Sequence, residues 1–149
     1  METIHTADRV CVTWDAEPIG HGAVVVVHDR IAAVGPYDDL RARFPLARVR
    51  TWPGALGPAH VHDGPLPDAP SPRERVHAVL KLGATAVLEQ HTTSPELRAA
   101  AERNDVAVLP GAARKTAIIE TGRADLAVFD ESGECIATVC AGRLVHRRK

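Results

Sequence analysis

The stretch Glu120–Arg147, ETGRADLAVFDESGECIATVCAGRLVHR, decides the reading of the chain. Ala124–Phe129 is apolar and compact, Asp130–Glu134 is turn-forming, and Cys135–Cys140 is again apolar and β-branched. Ala141-Gly142-Arg143 reads as a tight turn, and Leu144–Arg147 as a short closing strand. Three short apolar runs separated by Gly- and Asp-containing turns predict a β-meander. Asp125 is expected to bond the backbone at a strand start, and Gly142 to supply a positive φ.

Moving outward, the N-terminal end has the same character. Arg9–Trp14 alternates, which predicts a strand, and Asp15–Gly22 reads as a turn. Ala23–Pro36, AVVVVHDRIAAVGP, predicts a hairpin: a strand over Ala23–His28, a tight turn at Asp29-Arg30, and a strand over Ile31–Val34. Tyr37–Phe44 predicts one short helix stopped before Pro45, and Ala47–Trp52 another strand.

The middle differs. Prolines and glycines crowd Pro53–Pro72, which marks a loop or boundary. Ser71, Pro72 and Glu74 then form a capping-box pattern, followed by Val76, Val79, Leu80 and a stop at Gly83. Thr85–Leu88 predicts a buried strand, Ser94–Asn104 a second capped helix, and Val106–Leu109 a further strand. Helix and strand alternate here, which implies a small parallel sheet. The expected class is therefore α/β (α+β): a β-module in two halves, residues 1–56 and 116–149, split by an α/β insertion over residues 57–115.

Bulk composition narrows the function. The chain has 149 residues, enough to bury a core, and 45% are hydrophobic. With 18 basic against 19 acidic residues the net charge is −1, which argues against nucleic acid or an anionic membrane as partner. Only 3% are aromatic, so the core must be Val, Leu, Ile and Ala, and base-stacking platforms are not expected. Cys11, Cys135 and Cys140 form no CxxC pair, which suits reduced thiols in a cytoplasmic protein. No signal segment or apolar membrane run is seen. The basic tail His146–Lys149 reads as a frayed end.

Three segments in order resemble the amidohydrolase superfamily: Ala23–Pro36, Pro53–Asp63 (PGALGPAHVHD) and Glu120–Arg147. The first is similar to that family's N-terminal hairpin, the second to the strand that carries its His-x-His, the third to its C-terminal block. The imidazolonepropionase-like and aminodeoxyfutalosine deaminase-like branch is the nearest. The resemblance implies a composite β-sandwich built from both chain ends. It also implies that the insertion, a short βαβαβ, is a remnant of a TIM barrel. About 60 residues separate His62 from Gly122, where a full barrel takes roughly 250. The family's later ligands have no counterparts. Gly57-Pro58 also departs from its pattern, and Lys115 lies in a loop context that sets it apart from a ligand lysine.

The residues suggest one site. On a strand, His60 and His62 would share a face and could share a divalent ion, zinc by ligand type. Glu89 and His91 would share a face too, if the strand Thr85–Leu88 continues through them. At the C-terminal end of a parallel sheet these four could converge, with Asp63 a fifth candidate. His5, His21, His28, His77 and His146 are expected to be solvated. Two functions fit. One is a reduced metal-dependent hydrolase of C–N bonds in a small cyclic amide or amidine. The other is a non-catalytic scaffold, partner subunit or small-molecule or metal-binding module. Open strand edges imply a homodimer or a capping protein partner.

Overall fold

A computed structural model of the chain describes residues 1–148. Lys149, the end of the basic tail, lies outside the described residues. In chain order the elements are β1 (Glu2–Val10), β2 (Ile19–Val27), β3 (Arg30–Pro36), α1 (Tyr37–Arg43), β4 (Arg48–Pro58) and β5 (His60–Val61). There follow α2 (Pro72–Lys81), β6 (Ala84–Leu88), a 3-10 turn at Glu89–His91, α3 (Pro95–Arg103) and β7 (Ala107–Leu109). The chain then returns to strands: β8 (Leu126–Phe129), β9 (Cys135–Cys140) and β10 (Arg143–Arg147). No helix among the described residues is long and apolar enough to cross a membrane.

The two β-halves meet in one seven-stranded sheet of order β10-β9-β8-β4-β1-β2-β3. Strand β4 is the seam: it runs parallel to β1 and antiparallel to β8. The sheet curls until its far edge meets the segment leading into β8, where Ile31 N–H donates to Gly122 O at 2.9 Å and Thr121 N–H to Ile31 O at 2.8 Å. Inside the curl, Val24, Val26 and Ile31 pack against Leu126, Val128, Ile136 and Val139. The expected composite β-domain is thus present, as one continuous sheet closed over its own core.

Alternation decides what each strand buries. Val24 and Val26 face the inner core, while Ala23 and Val25 face outward against Ile4, Leu40 and Ala47 under α1. Each such Val or Leu, fully buried, contributes about 1.5–3 kcal/mol.

The insertion is the predicted β-α-β-α-β, with β5, β6 and β7 forming a parallel sheet. Both helices start as the sequence implies: Glu74 N–H donates to Ser71 Oγ at 3.2 Å, and Leu97 N–H to Ser94 Oγ at 3.1 Å. Val76, Val79, Leu80, Leu97, Ala100 and Ala101 make the local core, and Cys140 of β9 joins it. The Thr138 hydroxyl donates to Leu80 O at 2.7 Å, so β9 anchors the insertion on its outer face.

Several boundaries differ from expectation. The first strand is Glu2–Val10 rather than Arg9–Trp14, because Arg9 and Val10 pair with Gly20 and Ile19, which also turns part of the predicted turn into strand. The hairpin turn is His28-Asp29, with Val27 opposite Arg30. Strand β4 runs on through Pro53 and Gly54 to Pro58, helped by a bulge opposite Ala7 and Arg9 where Gly54 N–H donates to Asp8 at 3.0 Å. The expected boundary at residues 56 and 57 therefore falls inside β4. The basic tail is ordered through Arg148, whose guanidinium reaches Asp130 at 2.9 Å and Glu134 at 2.8 Å and whose N–H donates to Ile136 O.

Candidate functional site

His60 opens β5 immediately after the seam strand ends. Its backbone N–H donates to Gly83 O, and its ring stacks on Trp14 with centroids 5.7 Å apart. Phe129 stands 5.6 Å from the His60 ring and 5.3 Å from Trp14. The Trp14 indole N–H is fixed by Pro58 O at 2.7 Å. Gly57 lies flat against that indole: an added Cβ would stand 2.6 Å from Cζ2. The Gly57-Pro58 departure noted in the sequence is what admits the tryptophan. His60 remains exposed at its edge, yet its flanked ring is desolvated enough to lower its pKa below the ordinary imidazole value.

The other expected ligands are dispersed. His62 lies just past β5, and its Nε2 donates to Pro65 O at 3.0 Å. Strand β6 stops at Leu88, so the shared face expected of Glu89 and His91 does not form; both lie in the 3-10 turn. At this stop the Thr92 hydroxyl lies 3.2 Å from both Leu88 O and Glu89 O, to which it can donate. Glu89 lines a separate surface recess with Arg98, Glu102 and Val108. Among the described residues, no group of three or more His, Cys, Asp or Glu side chains is gathered as a metal ion requires. The donor set thus does not fit a resident zinc within one chain.

What the geometry does gather is a groove of about 310 Å³ walled by Trp14, His60 and Val61 and by Arg114, Lys115 and Thr116. The segment carrying Lys115 crosses between β7 and β8, and its ammonium meets Asp15 at 2.9 Å across the groove mouth. The Thr13 hydroxyl and then Lys115 hold the Asp15 carboxyl below its ordinary range. A second recess of about 270 Å³ shares His60, Val61 and residues 114–116, and is floored by Thr85, Arg123 and Asp125. Arg123 and Asp125 form an ion pair at 2.8 Å. Burial works to lower the Arg123 pKa, but the hydrogen bond and charge of Asp125 outweigh it and the net shift is upward. Trp14, Lys115 and Arg123 were not among the expected site residues. They come from three distant segments, and no local spacing links them.

His5 corrects a different expectation. It is 3% exposed, because it faces the interior of the curled sheet, and its Nδ1 accepts from Trp52 Nε1 at 3.2 Å. His146 also has a protein partner, the Cys135 carbonyl at 3.2 Å.

A family model for the imidazolonepropionase-like composite domain of bacteria matches residues 22–47. Comparison with curated proteins gives no match. Among solved structures, Escherichia coli guanine deaminase is similar with TM-score 0.57 and 15% identity, covering 75% of this chain and 36% of that one. An adenosine deaminase from Xanthomonas campestris with bound zinc has TM-score 0.55 and 22% identity, covering 72% and 33%. Aspergillus niger ochratoxinase has TM-score 0.51 and 19% identity, covering 73% and 31%. The chain spans about a third of the length of these structures. The likeness is one of fold: a composite β-domain joined to a short α/β layer rather than to a full barrel. The stretch that matches the imidazolonepropionase-like composite-domain model, residues 22–47, runs from β2 through α1.

Proposed function

We propose that this chain is an amidohydrolase-like binding module that holds a small planar polar molecule in the Trp14–His60 groove without hydrolysing it. The observation that carries this reading is the placement of His60. Its ring is stacked on Trp14 at the wall of a cavity of about 310 Å³, and Glu89 opens elsewhere. Cavities of this size suit small ligands of one or two rings. An aromatic wall supplies stacking, while Lys115 and Thr116 on the opposite segment supply donors. Hydrolysis on a metal needs three protein ligands and an open position for water, and the described residues gather no such set.

A second reading keeps the hydrolase. His60 and His62 flank Val61 in the strand that opens the parallel sheet, and a second copy of the chain could add the missing ligands. Metal analysis separates the two. The binding-module reading expects less than about 0.1 zinc per chain after purification without added metal, and unchanged folding of the His60→Ala/His62→Ala double variant. About one zinc per chain, lost in that variant, would overturn it in favour of the hydrolase. A screen of small heterocycles by ligand-observed NMR tests the groove directly. Hits should weaken about tenfold or more in Trp14→Ala, provided the variant retains its circular dichroism.

A further inference from the structure

The interior of the curled sheet is aliphatic along most of its length, but one end is rimmed by arginines, Arg50 partly buried and Arg48 and Arg147 exposed. Thr3 and Arg48 are register partners on the parallel strands β1 and β4, as are His5 and Arg50. Their side chains therefore leave the sheet on one face, and Trp52, two residues on, leaves with them. That face is the inner one: Val26 and Val24, opposite Thr3 and His5 on β2, belong to the inner core together with Trp52. From β10, Arg147 lays its guanidinium over the Trp52 ring, with Cζ 5.4 Å from the centroid.

Three cations thus share one small region. Desolvation, then the charges of Arg48 and Arg147, lower the pKa of Arg50. Among the described residues, none of the three meets a carboxylate within ion-pair distance, so no acidic side chain of the chain occupies the space between them. His5 adds a neutral donor. An indole N–H only donates, so the Nδ1 that accepts from Trp52 carries no proton, and the neutral ring holds its proton on Nε2.

We infer that Arg48, Arg50 and Arg147, walled by Trp52 and supplemented by the His5 Nε2–H, form a binding site for an oxyanion of the phosphate or sulfate class. Planar guanidinium forks match the geometry of such oxygens, and converging donors at the rim of a low-dielectric core strengthen the contact. The site is independent of the Trp14–His60 groove. Arg50 and Pro58 stand eight positions apart on β4, about 25 Å along an extended strand.

The test is calorimetric titration of inorganic phosphate into the full-length chain, near neutral pH and at low ionic strength. One site per chain is expected, with Kd of about 1 mM or tighter. Arg50→Gln and Arg147→Gln should each weaken it about tenfold, and Arg50→Lys, which keeps charge but loses the fork, by about threefold. Sulfate should compete, and chloride at equal ionic strength should not. In a Trp14→Phe background, Trp52 emission should change on saturation. Phenyl phosphate distinguishes the source: tighter binding than phosphate assigns the site to a monoester, equal binding to the free ion. No saturable heat or fluorescence change up to about 20 mM phosphate overturns the inference. So does an unchanged Kd in a folded Arg50→Gln protein, or equal suppression by chloride.

Discussion

Arg123 Nε donates to both carboxylate oxygens of Asp125, at 2.8 and 3.0 Å, although the two stand only two positions apart. Asp125 Oδ1 also accepts from Ala141 N–H at 3.0 Å, and Arg123 Nη2 approaches Thr85 O at 3.5 Å. One pair therefore ties the start of β8 to the β9–β10 turn and to β6. Asp125→Ala leaves a half-buried guanidinium unpaired and is expected to cost about 2–3 kcal/mol. Asp125→Asn, which retains an acceptor for Ala141, should cost less. Urea unfolding checks both, and a loss below about 0.5 kcal/mol in Asp125→Ala would show that the clasp is incidental.

Gly142 has φ +81°, and an added Cβ would overlap the His28 carbonyl oxygen. Gly142→Ala should therefore destabilise by about 2–4 kcal/mol, strain and overlap together. Gly133 is the control: its φ is +85° but the space around it is open. Gly133→Ala should cost only about 1 kcal/mol. Equal melting temperatures for the two variants would contradict this ranking.

His5 is buried, and desolvation, then the nearby Arg50 charge, lowers its pKa to about 4. The folded pKa lies below the unfolded one, so the unfolded chain binds the extra proton. Its contribution is fully present above about pH 6.5 and is lost as pH falls toward 4, a loss of about 3 kcal/mol. His5→Gln keeps an acceptor for Trp52 and cannot titrate. Its stability should fall less steeply than the wild type's across that window, with the residual slope left to groups such as His60 whose pKa is also lowered, measured by urea midpoints at successive pH values. A wild-type curve as flat as the variant's would count against a buried neutral His5.

Cys140 is a free thiol packed between β9 and the insertion core, and burial pushes its pKa up to about 12. Cys135 is shifted upward by the same cause. Iodoacetamide near neutral pH should therefore label both at least about a hundredfold more slowly in the native chain than in urea. Peptide mapping reads the two sites separately, and fast native labelling at Cys140 would refute the burial.

Much of this architecture is legible in the sequence because it rests on local pattern. The runs Val24–Val27 and Cys135–Cys140 and the capping serines Ser71 and Ser94 predict their own elements. The first strand was misread because its middle, His5-Thr6, is polar yet buried, with Thr6 Oγ1 bonded to Gly22 O at 2.7 Å. Polar residues satisfied by tertiary partners erase the alternation that marks a strand. The site was harder still. The spacing of His60 and His62 says nothing of Trp14, which reaches them only because Gly57 leaves room. The shared face of Glu89 and His91 depended on β6 running past Leu88, and the strand ends there, with the Thr92 hydroxyl bonded to Leu88 O.

The seam at β4 also has a consequence for the order of assembly. Strands β1 to β4 form early in synthesis, but β4 presents an open edge until residues 126–129 have emerged to pair with it. Strands β5, β6 and β7 of the insertion pair only with one another and can form first, on the ribosome, although their core is completed later by Cys140 of β9. A nascent chain halted between β7 and β8 would thus hold a paired but uncovered α/β unit beside an unsealed sheet, the state in which chaperone capture and strand-edge aggregation compete with native closure.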